Sequence, residues 1–144
     1  MRGTYHRGRQ SGEAAIAALA VGVAVGYCFV RWKPFRVEIN GSSMAPTLLP
    51  GDWALAVSPG RLRRGDVVVL EHPERPGLEM VKRVTGLPDE LAPSGRILGE
   101  DEYWVEGDDP SGSTDSRRFG PVARERIKAK VRLVYWPPSR RRLL

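Results

Sequence analysis

Residues 67–84 read Val-Val-Val-Leu-Glu-His-Pro-Glu-Arg-Pro-Gly-Leu-Glu-Met-Val-Lys-Arg-Val, and their reading decides the fold class. Val67–Leu70 is a short apolar run. Met80–Val84 is a second one, with a Lys-Arg pair set inside it. Turn residues separate the two, so both read as strands. The same pattern extends outward. Phe35–Ile39 alternates apolar and polar residues, as a half-buried strand does. Trp53–Val57, Tyr103–Val105 and Ala129–Tyr135 are further runs, and Pro137-Pro138 ends the last of them. Residues 85–101, rich in glycine, proline and acids, predict a hairpin or exposed loop. Past residue 32 no helical periodicity is sustained, apart from one turn expected near Val122–Arg126. Many short strands with frequent turn signals predict a mainly β fold, a small all-β sheet or barrel-like domain. The 144 residues leave room for one such domain, and residues 32–144 are enough to bury a modest core without staples.

Ahead of it lies a different kind of segment. Residues 14–30, AAIAALAVGVAVGYCFV, carry no charge. As a helix they rise about 26 Å, the short end of a bilayer span. Trp32 follows where an interfacial aromatic belongs. A cleavable secretory signal is the competing reading, because Arg2, Arg7 and Arg9 precede the run. The run is longer than a usual signal core, however, and Arg31-Trp32-Lys33-Pro34 follows it in place of a small-residue cleavage site. The expected organisation is therefore a basic tail (1–13), a single transmembrane anchor (14–31) and a β domain (32–144). Flanking arginines and Lys33 nearly cancel across the anchor, so charge does not settle its orientation. Ala14, Ala18, Gly22 and Gly26 recur every four residues, which suits a helix-mediated dimer or simply reflects an Ala/Gly-rich composition.

The chain has 23 basic and 17 acidic residues, a formal charge of +6, and 19 of the basic residues are arginine. Such an excess fits anionic lipid or nucleic acid, and the tail Arg140-Arg141-Arg142 is expected to be solvated or lipid-facing charge. The single cysteine, Cys28, excludes an intramolecular disulfide framework and lies in the apolar run. Histidine is limited to His6 and His72, the latter expected to be exposed in a charged, proline-flanked turn. A Ser-His-Asp triad would rest on that one residue. No carboxylates stand at ligand spacing on a helix, so neither metal nor cofactor is expected. Serine with lysine remains. Ser43 lies in Gly41-Ser42-Ser43-Met44-Ala45-Pro46, where a strand runs into a proline turn; on local composition alone this is an ordinary polar turn. Lys82 changes the weighing. Alternation sends Lys82 and Arg83 to opposite faces, so one of them points into apolar surroundings. There desolvation lowers the amine from about 10.4, and a neutral amine can take a serine proton. A surface lysine on an edge strand is the competing reading.

Gly41-Ser42-Ser43-Met44-Ala45-Pro46-Thr47-Leu48 with Gly51-Asp52 resembles the nucleophile box of type I signal peptidases. Arg64-Gly65-Asp66-Val67-Val68 and Val81–Pro88 resemble that family's next two boxes. Val105-Glu106-Gly107-Asp108-Asp109, Ser113–Arg117 and Phe119–Val122 resemble its last. The short spacing and the closing Tyr135-Trp136-Pro137-Pro138 are most similar to the small mitochondrial inner membrane peptidases, subunit 2 type, and their bacterial relatives. The resemblance implies Ser43 as nucleophile, Lys82 as general base and Ser113 as the residue orienting the lysine. It implies an ion pair of Asp115 with Arg117 that braces the site from behind the reacting groups, Asp108 in the supporting loop, and Met44, Met80 and Val81 around a pocket for a small residue. It further implies an extracytoplasmic catalytic domain on a single-pass protein of the cell membrane, or of the mitochondrial inner membrane in a eukaryote. Its partners would be precursors with signal peptides and the bilayer, not nucleic acid. Two positions depart from the family pattern. Gly41 replaces a serine that assists the oxyanion in larger members, leaving backbone N–H groups such as that of Ser43. Asp109 stands where asparagine is common and would raise the lysine pKa if close.

Three alternatives share parts of this reading. A dedicated maturation protease has the same motifs, and only twenty-four residues separate Lys82 from Gly107, which suits a narrow substrate range. A self-cleaving repressor would need a DNA-reading helical domain where this chain has the apolar segment. A non-catalytic basic membrane protein would leave Ser43 and Lys82 as bystanders.

Overall fold

The computed structural model describes residues 10–32 and 34–144, with side chains over 14–27 and from Pro34 onward. The basic tail with Arg2, Arg7 and Arg9, His6, and the side chains of Cys28, Arg31, Trp32 and Lys33 lie outside the described residues. The chain divides into two units between residues 33 and 34. The first contains helix α1, Gln10–Trp32. Ala14–Tyr27 are all exposed, including Ile16, Leu19, Val21, Val23 and Val25, and nothing lies within 4 Å of a Cβ at Gly22 or Gly26. Among the described residues no helix is long and apolar enough to cross a membrane.

The second unit is mainly antiparallel β. Its strands are β1 (Phe35–Glu38), β2 (Trp53–Val57), β3 (Val67–Glu71), β4 (Glu79–Gly86), β5 (Glu102–Glu106), β6 (Val122–Ala123), β7 (Ile127–Trp136) and β8 (Arg142–Leu143). They form one eight-stranded sheet in the order β1-β2-β7-β3-β4-β5-β6, with β8 beside β7. β3 is central, paired on both edges, and all four of its valines and leucine are buried. Alternation sends Val67 and Val69 into one cluster with Ile39, Met44, Leu48, Ala54 and Val131. Val68 and Leu70 enter another with Leu62, Val84, Val105 and Ile127. Both faces are therefore core, which is why β3 reads as an uninterrupted apolar run.

The turn expected near Val122–Arg126 is present as a 3-10 turn at Arg124–Arg126, with strand β6 just before it. Two other local expectations are corrected and one element is new. A short helix α2, Ser116–Phe119, was not expected from the sequence; the carboxylate of Asp115 caps it by accepting the Arg117 N–H. The Arg140–Arg142 tail is not free charge throughout. Arg140 donates to both carboxylate oxygens of the buried Asp52, at 2.8 and 3.0 Å, and Arg142–Leu143 forms β8. His72 is buried rather than exposed, its ring against Phe119 with centroids 5.3 Å apart. Residues 85–101 follow their expectation, with Leu91 bridging Ile97 in an antiparallel hairpin.

Leu48, fully buried beneath the segment that carries Ser43, locks that segment onto the sheet. Leu48→Ala is expected to cost about 3 kcal/mol in urea unfolding. Arg140→Met is expected to lower the unfolding midpoint by stranding the Asp52 charge, and adding Asp52→Asn to recover part of the loss.

Candidate active site

The segment between β1 and β2 is a wound loop pinned at its base. Ile39 N–H donates to the Asp52 carbonyl at 2.9 Å, and Gly51 N–H donates back to Ile39 at 2.8 Å. The Asp52 carboxylate accepts Leu49 N–H. Turn bonds from Ala45 to Ser42 and from Leu48 to Met44 then close the loop around Ser43. Met44, next in sequence, is 1% exposed, so the loop is anchored by its apolar side while Ser43 remains half-buried at the surface.

β4 brings the lysine. Lys82 Nζ lies 2.6 Å from Ser43 Oγ, and the residue is 3% exposed. Burial pulls its amine below the ordinary lysine range. The nearby Asp115 carboxylate opposes that shift, and the Arg117 guanidinium assists it. The next residue, Arg83, points the other way, as alternation requires. Its guanidinium donates to both oxygens of Asp108 (2.8 and 2.7 Å), to the Gly65 carbonyl (2.8 Å) and to Thr47 Oγ1 (3.2 Å). One strand thus delivers a buried amine to the Ser43 hydroxyl and a fork of hydrogen bonds to Thr47, Gly65 and Asp108.

The loop from Gly107 to Asp115 closes the site. Asp109 N–H donates to the Ser43 carbonyl at 3.1 Å. A Cβ at Gly107 would come 2.5 Å from that same carbonyl oxygen and would also collide with Ser113 Oγ. Only glycine admits this approach. Asp115, fully buried, accepts from Gly107 N–H (2.9 Å), Ser113 Oγ (2.7 Å) and Arg117 Nε and Nη2 (2.9 and 2.5 Å). Burial alone would raise its pKa. The Arg117 guanidinium, the Gly107 N–H and the Ser113 hydroxyl outweigh burial and hold the carboxyl well below the usual range.

Every site residue singled out in the sequence falls around this point, with two differences from the expected arrangement. Ser113 gives its hydroxyl hydrogen to Asp115, and among the described residues Ser43 is the only hydrogen-bond partner of the Lys82 amine. The Asp109 carboxylate is held by Ser111 N–H and Oγ, and the charges that shift the amine are those of Asp115 and Arg117. Arg83, Thr47 and the Asp52–Arg140 pair were not recognised as site supports. Arg83 had a signal in its place beside Lys82 on an alternating strand, whereas Arg140 had none. His72 Nδ1 is occupied locally by Glu74 N–H.

Beside Ser43 a cleft of about 330 Å³ runs between residues 37–44 and 79–81. Met44, Met80 and Val81 line it, and so does Gly41, where nothing stands within 4 Å of a Cβ position. Among the described residues, the Ser43 N–H has no hydrogen-bond partner.

Relatives share this chain over most of its length. A Saccharomyces cerevisiae protein, mitochondrial inner membrane protease subunit 2, is 34% identical over 139 residues, covering 77% of this chain and 78% of its own. The Mus musculus mitochondrial inner membrane protease subunit 2 is 31% identical over 150 residues, covering 92% of this chain and 84% of its own. An Arabidopsis thaliana protein, mitochondrial ATP-independent inner membrane protease subunit 1a, is 38% identical over 118 residues, 71% of this chain and 70% of its own. The family model for signal peptidase, peptidase S26, matches residues 11–91 and 89–136, from helix α1 to the last residue of β7. Loop, lysine strand and closing loop all fall inside that match, and the chain belongs to the signal peptidase family, peptidase S26.

Proposed function

We propose that this protein is a membrane-bound serine endopeptidase that removes signal peptides from exported precursors after small residues, with Ser43 and Lys82 as its catalytic dyad. The observation that carries the reading is the 2.6 Å approach of a buried amine to a serine hydroxyl at the mouth of a cleft. An extended substrate lies in that cleft. β4 supports this, because Glu79–Lys82 pair only with β3 while β5 begins its pairing at Arg83, leaving one edge of 79–82 unpaired by strand. Met44, Met80 and Val81 confine the residue before the scissile bond.

Lys82, neutral because it is desolvated, takes the hydroxyl proton as Ser43 attacks the carbonyl. The Ser43 N–H meets the oxyanion, the role for which Gly41 offers no side chain. Lys82 then protonates the leaving amine and later activates water to release the acyl group. Ser113, its hydrogen committed to Asp115, presents oxygen lone pairs suited to orienting the transient ammonium. Asp115 with Arg117, and Asp108 with Arg83, hold the loop that carries it.

The 14–31 segment is the proposed anchor, on the uncharged run 14–30 and its exposed apolar side chains; the resemblance to signal peptidases favours an extracytoplasmic catalytic domain. In a eukaryotic cell the relatives' names point to the mitochondrial inner membrane. Those names also call the relatives subunits, and the short Lys82–Gly107 connection favours a restricted set of precursors as the second reading.

The full-length enzyme in lipid, given a precursor with an Ala-X-Ala site, is expected to cleave it with chelator present. Ser43→Ala and Lys82→Ala are each expected to abolish cleavage. Equal activity in Ser43→Ala would sink the dyad. Because only the neutral amine accepts a proton, kcat/KM is expected to rise with pH through an apparent pKa below the ordinary lysine value. With only four lysines in the chain, NMR of labelled lysine reads the same midpoint directly. Asp115→Asn, which removes a charge favouring the ammonium, is expected to move that midpoint lower still. Gly107→Ala displaces the Ser43 carbonyl and is expected to cost about 100-fold in kcat.

A further inference from the structure

Met80 lines two cavities. One is the cleft beside Ser43; the other, of about 270 Å³, lies between the β3–β4 connection, with His72, Glu74 and Arg75, and the α2 region, with Thr114 and Arg118. No residue of the 37–44 wall reaches this second cavity.

His72 supplies its polar floor. The residue is 4% exposed, and Nδ1 accepts Glu74 N–H at 3.1 Å. A neutral imidazole that accepts at Nδ1 carries its proton on Nε2. Nε2 has no partner within the chain among the described residues, where no fully buried side-chain polar atom is left unpaired. The Nε2–H edge therefore opens on the cavity as a donor. The guanidiniums of Arg75 and Arg118 are exposed at the rim, and neither is paired with a carboxylate among the described residues. Among the described residues Glu74 is the only acid lining the cavity, against these two cations. A fixed N–H donor, a threonine hydroxyl and an excess of guanidinium complement a carboxylate.

The position of the cavity says which carboxylate. Met80 and Lys82 are two residues apart on β4 and share a face. Thr114 sits between Ser113 and Asp115. The cavity thus adjoins the dyad on its lysine side. In the proposed reaction, on which this inference rests, the acyl side of the substrate fills the first cleft and Lys82 hands its proton to the leaving amine. The chain beyond that amine is the part left to reach the second cavity. We propose that this cavity is a second substrate subsite, taking an acidic side chain from the first few residues on the leaving-group side of the scissile bond.

The test uses the full-length enzyme in phosphatidylcholine vesicles and precursors that differ at one of the first four residues after the cleavage site, carrying Asp, Asn or Lys. At one position, wild type is expected to prefer Asp over Asn by about ten-fold in kcat/KM. Arg118→Glu, a change at an exposed residue, is expected to abolish that preference and favour Lys there; His72→Gln is expected to weaken it. Equal cleavage of Asp and Asn precursors by wild type at every position would overturn the subsite, as would a preference untouched by Arg118→Glu. Arg118-dependent binding to phosphatidylglycerol vesicles without any acid preference would assign the cavity to a lipid headgroup, and overturns it too. Failure of wild type to cleave any member would overturn the serine-lysine reading itself, a result distinct from the others.

Discussion

An amine buried to 3% exposure is the constraint around which the site is arranged. Keeping an ammonium there is costly, so burial pulls the amine below the ordinary lysine range. Asp115 works against this, since a bare carboxylate nearby would hold the proton on Lys82. Its pairing with Arg117 places a positive charge in the same neighbourhood, and the two act on the amine with opposite sign. Gly107 N–H and Ser113 Oγ take up further lone pairs of Asp115. The ion pair is therefore both a brace for the closing loop and an electrostatic balance beside the lysine.

The loop that carries Ser43 owes its position to contacts from distant parts of the chain. Arg83 reaches it through Thr47, Asp109 through the Ser43 carbonyl, and Arg140 through Asp52 at its base. Arg140 and Asp52 are 88 residues apart, and β8 with Leu144 returns the C-terminus to the same side of the core. A serine on a loop gains the precision of a strand residue in this way, because each of its turns is tied to a rigid element. The geometry around Ser43 and the pairing of the sheet are one structural problem.

The strands were legible because they are driven by burial. β2 has the bounds its apolar run announces, and β3 and β4 extend theirs by a few residues, since alternation and turn residues act locally. Lys82 and Arg83 were expected on opposite faces for the same reason, and they lie there. α2 was hidden, being four residues long and dependent on the Asp115 cap rather than on any periodicity. His72 was misjudged because its neighbours in sequence are charged, while the partner that buries it, Phe119, comes from elsewhere in the chain.

By itself, then, the sequence determined the residue types available for chemistry and the periods that make strands. Only the tertiary structure decided that the Lys82 amine meets the Ser43 hydroxyl, 39 residues away, and that Arg140 is a structural cation paired with Asp52, 88 residues away. The reason is physical. Period and propensity are set by neighbours along the chain, whereas the partner of a charge or a hydroxyl is whichever group the folded sheet brings within about 3 Å.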